Sequence, residues 1–234
     1  MKPIIGIVEW PYLDIDGDSI YEVITPIVEW IIRSGGRPIG LFSANIDDFV
    51  NKRINELNQL TELELKELKE TIMMCDGIIK PGATKFYPYE NKIYEYAYDE
   101  NIPYFGICAG MQIMRNHNSE YVPNIKNDTN ITHYKKEGYA HYINIKPNTK
   151  LHSIIGKDRI EVNSRHKYHL ANSGLKEVAA LADDDIIEAL EVKEKLFNIG
   201  VQWHPELLPM SDLNSQNLFG EFIEAAKTYK KKIK

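Results

Sequence analysis

Short apolar runs rich in isoleucine, valine and phenylalanine alternate with longer stretches of helical periodicity through the first half of the chain, which predicts βαβ units around a parallel sheet. Residues 3–8 read as a first buried strand. Residues 19–34 place Ile20, Val23, Ile24, Ile27, Val28 and Ile31 at helical spacing, and Gly35-Gly36 ends that helix where a left-handed cap is needed. A strand follows over 37–42. Thr61 with Glu64 three residues on forms a capping box ahead of Leu65, Leu68 and Ile72, so a helix runs from there toward Met74. Residues 76–80 form a strand that breaks at Pro81-Gly82, 89–100 a helix, 103–107 a strand, and 109–115 the start of another helix. Beyond residue 131 the pattern shortens into extended stretches at 139–145, 159–163, 178–182, 187–192 and 197–203, and a helix over 214–230 closes the fold. The polar, Asn-rich stretch 116–132 reads as a surface loop.

The elements predict one α/β domain spanning 1–234, since the chain shows no internal repeat and no linker of low complexity. Composition narrows the classes. With 43% hydrophobic and 26% charged residues and a mean hydropathy of -0.38, the chain reads as a soluble globular protein without the roughly 20-residue apolar run of a spanning helix. The apolar start stops at Glu9, too short for a signal peptide. A net charge of -6 with little segregation of basic residues argues against nucleic acid as a ligand. The basic cluster Lys230, Lys231, Lys232 and Lys234 reads as a solvated helix end. Two isolated cysteines, Cys75 and Cys108, predict neither disulfide nor thiolate metal site and suggest a reducing, cytoplasmic setting.

Candidate chemistry centres on Cys108. Gly106 and Gly110 flank it at minus two and plus two, where a strand runs into a helix, which is the spacing of a nucleophile elbow. Such a turn strains the backbone of its central residue and leaves no room for side chains at the flanking positions. A thiol at a helix N-terminus also loses its proton more readily. The amide of Ala109 is a candidate oxyanion donor, and the Pro81-Gly82-Ala83 turn, leaving a neighbouring parallel strand at its C-terminal end, is a candidate second. Downstream, Gly200-Val201-Gln202-Trp203-His204-Pro205-Glu206 supplies a base, His204, and an acid to orient it, Glu206, so a Cys108-His204-Glu206 triad is expected. Cys75, between Met73-Met74 and a strand, reads instead as a small buried hydrophobe. His133, His141, His166 and His169 show no carboxylate or thiol at metal-ligand spacing, so neither a metal nor a cofactor is expected.

Phe105-Gly106-Ile107-Cys108-Ala109-Gly110-Met111-Gln112 followed far downstream by the Gly200–Glu206 segment resembles the class I glutamine amidotransferase-like family. The opening Pro3–Ile7, the Val162-Asn163-Ser164-Arg165-His166 segment and Ile187-Glu188-Ala189-Leu190-Glu191 are similar to its γ-glutamyl hydrolase-like branch. The resemblance implies a flavodoxin-like three-layer fold with a mostly parallel central sheet, a glutamyl thioester on Cys108, and hydrolysis with His204 as base. It also implies that Gln112 and the backbone around Arg165, His166, Lys167 and Tyr168 hold the α-amino and α-carboxylate groups of a small γ-glutamyl substrate. The chain departs from the branch where Ala83 replaces a usual glycine, where Ala109 replaces a usual arginine, and where residues 116–120 replace a Gly-Gly segment. These positions border the leaving-group side. The expected function is a γ-glutamyl hydrolase; the glutaminase subunit of a two-component amidotransferase and a catalytically silent glutamyl-ligand protein are the alternatives, and a homo-oligomer stays open.

Overall fold

In the computed structural model, which describes residues 1–43, 53, 57–115, 124–171 and 178–233, a nine-stranded mixed sheet forms the middle layer. Its strands are β1 (Ile4–Val8), β4 (Arg37–Leu41), β5 (Gly77–Lys80), β6 (Tyr104–Ile107), β8 (His141–Ile145), β9 (Arg159–Val162), β11 (Val178–Ala182), β12 (Ile187–Glu191) and β13 (Asn198–Val201). They lie in the order β4-β1-β5-β6-β13-β12-β11-β8-β9. The first five pair in parallel and the remaining pairs are antiparallel. Helices α1 (Thr25–Arg33), α5 (Lys150–Ile155) and α6 (Leu213–Ile233) contribute Ile27, Trp30, Leu151, Phe219 and Phe222 to the core of one face. On the other face α2 (Glu62–Ile72), α3 (Pro88–Asp99) and α4 (Ala109–Met114) contribute Leu68, Ile72, Ile93, Tyr94 and Met111. Strand periodicity sorts the side chains between the two cores: Ile79 and Phe105 go to one, Ile78 and Tyr104 to the other. This is the three-layer arrangement expected of the flavodoxin-like class.

Most predicted elements form close to their expected bounds, because their local signals agree with burial. Thr61 Oγ1 accepts from the Glu64 amide at 3.3 Å while the Thr61 amide donates to Glu64 Oε2 at 2.7 Å, completing the capping box at α2. Gly35, at φ +97°, stops α1. The helix expected over 19–34 needs correction. Its first part is a strand, β3 (Ser19–Glu22), paired with β2 (Trp10–Leu13) in a hairpin that leaves Ile20 and Tyr21 exposed. Pro26 explains the division: lacking an amide hydrogen, it is tolerated in the first turn of α1, where it sits, but not in the interior of a longer helix. Helix α5, capped by the Thr149 hydroxyl, was not anticipated from periodicity. Within the expected 116–132 loop, residues 116–123 lie outside the described part, and β7 (Ile125–Lys126) pairs with β10 (Tyr168–His169).

What positions the site is register. Lys80 of β5 aligns with Gly106 of β6, and Ile107 aligns with Val201 of β13. Three chain exits therefore stand side by side at the C-terminal edge of the parallel strands: the 81–83 turn, Cys108, and the segment leading to His204. Among the described residues no helix is long and apolar enough to cross a membrane.

Candidate active site

Cys108 occupies φ 52°, ψ -104°, a strained conformation for a residue with a side chain, at the N-cap of α4. The flanking glycines are required by close approach. A Cβ on Gly106 would sit 2.5 Å from the Gly110 carbonyl oxygen, and one on Gly110 would overlap the Lys80 carbonyl oxygen. The bend is fixed from both sides, by the Cys108 amide donating to Val201 O at 2.7 Å and by the Tyr104 hydroxyl donating to Gly110 O at 3.0 Å. The first intrahelical bond runs from the Met111 amide to Cys108 O, so the amides of Ala109 and Gly110 precede the helical ladder, at the end where the dipole favours negative charge.

His204 follows β13 and is held by its own backbone: its amide donates to Asn163 Oδ1 at 3.0 Å and its carbonyl accepts from Asn163 Nδ2 at 2.8 Å. Its Nδ1 lies 2.7 Å from Glu206 Oε1, and the ring hydrogen-bonds Cys108. Glu206 is fully buried in a single turn of 3-10 helix, Pro205–Leu207. Burial works to lower the imidazole's pKa, but the Glu206 charge, the hydrogen bonds to Cys108 and Glu206 and the charge on Cys108 outweigh it, so His204 is pushed up to about 10. The protonated form of the ring is thereby favoured beside the Cys108 sulfur.

Gly82 closes the third side. A Cβ there would meet His204 Cε1 at 2.9 Å and Cys108 Cβ at 3.3 Å, so the turn, the thiol and the imidazole share one point in space. Ala83 is not among the positive-φ residues, so its methyl group is accommodated without strain. A buried ion pair anchors the turn: Lys80 Nζ lies 2.9 Å from Glu90 Oε1 and donates to Pro81 O at 3.2 Å, while Glu90 Oε2 accepts from the Tyr87 amide at the start of α3. Burial pushes the Glu90 carboxyl up, against the pull of Lys80.

Of the residues expected to hold a glutamyl head group, Gln112 is buried and bonded to protein groups. Its Nε2 donates to Gln202 Oε1 at 3.0 Å and to Tyr168 O at 3.3 Å, and its Oε1 accepts from Asn124 Nδ2. The side chains of the 165–168 segment behave differently. Arg165 is exposed and donates to the Lys136 carbonyl, Lys167 lies over the Tyr134 ring, and Tyr168 is half exposed, so this segment offers the site backbone, above all the Tyr168 carbonyl. His166 turns inward toward Glu188. Sequence patterning missed Gln202, which is fully buried and whose Nε2 donates to Cys108 Sγ at 3.4 Å. It also missed Asn163 and the Lys80–Glu90 pair. Strand alternation marks Gln202 as facing opposite to Val201 and Trp203, the one available signal. Cys75 is buried, 1% exposed, beneath β1.

The expectation that the histidines lack carboxylate partners is corrected. His133, His141 and His166 converge on Glu188, and His133 also reaches Asp184. Glu188 and Asp184 are 47 and 51 residues distant in sequence from His141 and His133, respectively, so linear spacing had no means of showing the cluster.

The profile of the family described as Peptidase C26 matches residues 3–206. A CTP synthase of Chlamydia pneumoniae is 30% identical over 206 residues, covering 73% of this chain and 38% of its own length. The chain thus spans little more than a third of that relative. A Schizosaccharomyces pombe protein named as a glutamine amidotransferase is 28% identical over 227 residues, covering 88% of this chain and 83% of its own. Among solved structures, the acivicin-bound glutaminase domain of a Trypanosoma brucei CTP synthase superposes with a TM-score of 0.69 at 19% identity, covering 97% of this chain and 94% of that one.

Proposed function

We propose that this chain, which belongs to the Peptidase C26 family, is a glutaminase-type cysteine hydrolase that cleaves the γ-carboxamide of glutamine through a thioester on Cys108. The observation that carries the proposal is the meeting of the strained Cys108, the His204–Glu206 pair and Gly82 at one point. The sulfur of Cys108 attacks the γ-carbonyl carbon, and the oxyanion that forms is received by the amides of Ala109 and of the Gly82-Ala83 turn. His204, already protonated, gives its proton to the departing nitrogen, and the C–N bond breaks to leave the thioester and ammonia. Neutral His204 then takes a proton from water, which attacks the thioester; collapse expels the Cys108 thiolate and releases glutamate. Gln202 steadies the sulfur between the two steps, and Gln112 with the Tyr168 carbonyl receives the α-amino and α-carboxylate groups.

Glutamine is preferred over larger γ-glutamyl amides because the relatives named above are CTP synthases and a glutamine amidotransferase. The ammonia then passes to a synthase partner. A second reading, a γ-glutamyl-amine hydrolase, draws on the similarity of segments 162–166 and 187–191 to that branch. The full chain, assayed for amine release on glutamine and on a series of γ-glutamyl amines with mass detection of the acyl adduct, separates the two. Faster turnover of glutamine supports the glutaminase; faster turnover of a substituted amide supports the second reading. A glutamine-mimicking electrophile should modify Cys108 and spare the buried Cys75, and Cys108→Ser should fold normally with almost no turnover. Equal modification of both thiols sinks either reading.

A further inference from the structure

Away from Cys108, four side chains from separate parts of the chain meet in the antiparallel half of the sheet. His133 precedes β8, His141 opens it, His166 follows β9, and Glu188 lies in β12. All are buried, Glu188 completely. His133 Nδ1, His141 Nε2 and His166 Nε2 stand 3.3, 3.1 and 3.3 Å from the same carboxylate oxygen, Glu188 Oε1, and His133 Nδ1 is 3.2 Å from His166 Nε2.

The outward nitrogens decide what the inward ones are. His133 Nε2 faces Asp184 Oδ2 at 3.0 Å, His141 Nδ1 faces Thr132 O at 3.1 Å, and His166 Nδ1 faces Tyr168 O at 3.1 Å, with the Asn127 amide farther off at 3.5 Å. Carboxylates and carbonyls only accept, so each ring places its proton outward. A neutral imidazole then has none left, and the inward lone pairs point at one another and at Glu188. Turning a proton inward moves the conflict outward: His141 has an acceptor on both sides, so neither of its neutral tautomers satisfies both. Glu188 Oε2 is also buried without a hydrogen-bond partner among the described residues.

A cation at the centre removes every conflict with all three protons left outward. We propose that His133, His141 and Glu188, with His166 as fourth donor, form a buried structural site for a divalent transition-metal ion of the zinc type. The ligand atoms of His133, His141 and Glu188 all lie within 4.8 Å of one another. Tetrahedral coordination at metal–nitrogen distances of about 2.05 Å separates donors by about 3.3 Å; the contacts to Glu188 Oε1 and the His133–His166 pair already approach this, while His166 stands wider from His141 and has to shift inward to take the fourth position. Imidazoles with one carboxylate suit zinc, and four protein donors make a closed site. Asp184 and the two carbonyls act as the outer partners that orient metal-bound histidines. The ion joins the 164–169 segment, whose Tyr168 carbonyl meets Gln112, to β12, whose Glu188 carbonyl accepts from the Gln202 amide at 2.8 Å. It thereby holds one wall of the Cys108 site without taking part in the reaction.

The test uses the full chain, stripped with a chelator and titrated with zinc chloride against a chromophoric competitor, with bound metal counted by mass spectrometry. One zinc per chain is expected, with a rise in Tm on loading, and cobalt(II) in its place should give the visible absorption of a tetrahedral site. Asp184→Asn, which removes only an outer partner, should weaken binding by about 10–100-fold, and His141→Gln should abolish it. Cys108→Ser should bind as the wild type does. Loss of binding in Cys108→Ser with retention in His141→Gln would place the ion at the thiol and overturn the proposal. So would a wild-type chain that takes up no stoichiometric zinc.

Discussion

Replacing Gly82 with alanine tests the geometry of the candidate site with a single methyl group. The added Cβ would stand 2.9 Å from His204 Cε1 and 3.3 Å from Cys108 Cβ, whereas carbon atoms at rest lie about 3.5–4.0 Å apart. The imidazole must therefore retreat by about 0.6–1.1 Å or the turn must open by as much. His204 has little freedom to do so: Glu206 holds Nδ1 at 2.7 Å and Asn163 clamps the backbone amide and carbonyl. Opening the turn instead pulls on Pro81, whose carbonyl is tied to the buried Lys80. Displacing a reacting group by about 1 Å costs on the order of 100-fold in rate, or about 2.7 kcal/mol of barrier at 1.36 kcal/mol per tenfold. The assay is kcat on glutamine for purified Gly82→Ala beside wild type, with thermal melts to show that both are folded. Gly220→Ala is the control: a Cβ there meets nothing within 4 Å on helix α6, so activity should be unchanged and stability raised by up to about 1 kcal/mol. A Gly82→Ala protein within threefold of the wild-type rate would refute the claim that thiol, imidazole and turn are packed against one another.

Glu206→Gln keeps an acceptor beside His204 but removes the charge that raises it, so the alkaline fall in rate, expected in the wild type as pH rises toward about 10, should move to lower pH; a full pH–rate profile of both proteins checks this. The same raised pKa sets a stability trend. The protonated ring is favoured in the fold, so its stabilisation is complete below the unfolded value near 6.5 and is lost as pH climbs toward about 10. Urea midpoints at the two ends of that range should show the loss, and should show less of it for Glu206→Gln. Glu90→Gln leaves Lys80 charged and buried without its partner, which costs about 3–5 kcal/mol for such pairs; equilibrium unfolding measures it, and a change under 1 kcal/mol would mean that the pair does not anchor the 81–83 turn.

The first half of the fold was legible because its signals are local. Apolar runs, the Thr61–Glu64 box and the paired glycines around Cys108 each act within one or two turns of chain, and each turned out to have a steric or hydrogen-bonding cause in the structure. Residues 19–34 misled because helical spacing of isoleucines outweighed Pro26, whose missing amide hydrogen decides where the helix begins. The candidate nucleophile and its imidazole partner were legible as types at spacings, but not as neighbours.

The sequence by itself determined which residues are able to do chemistry: a thiol between two glycines where no side chain fits, and a histidine two residues before an acid. Only the tertiary structure decided what stands next to what. Parallel register carries Gly82, Cys108 and His204 to one edge of the sheet, and antiparallel pairing of β8, β11 and β12, with the Tyr134–Arg165 bridge beside His133 and His166, gathers three histidines around Glu188. Backbone hydrogen bonds between the parallel strands align residues that are about 25–95 apart in the chain, and no pattern along the chain records those alignments.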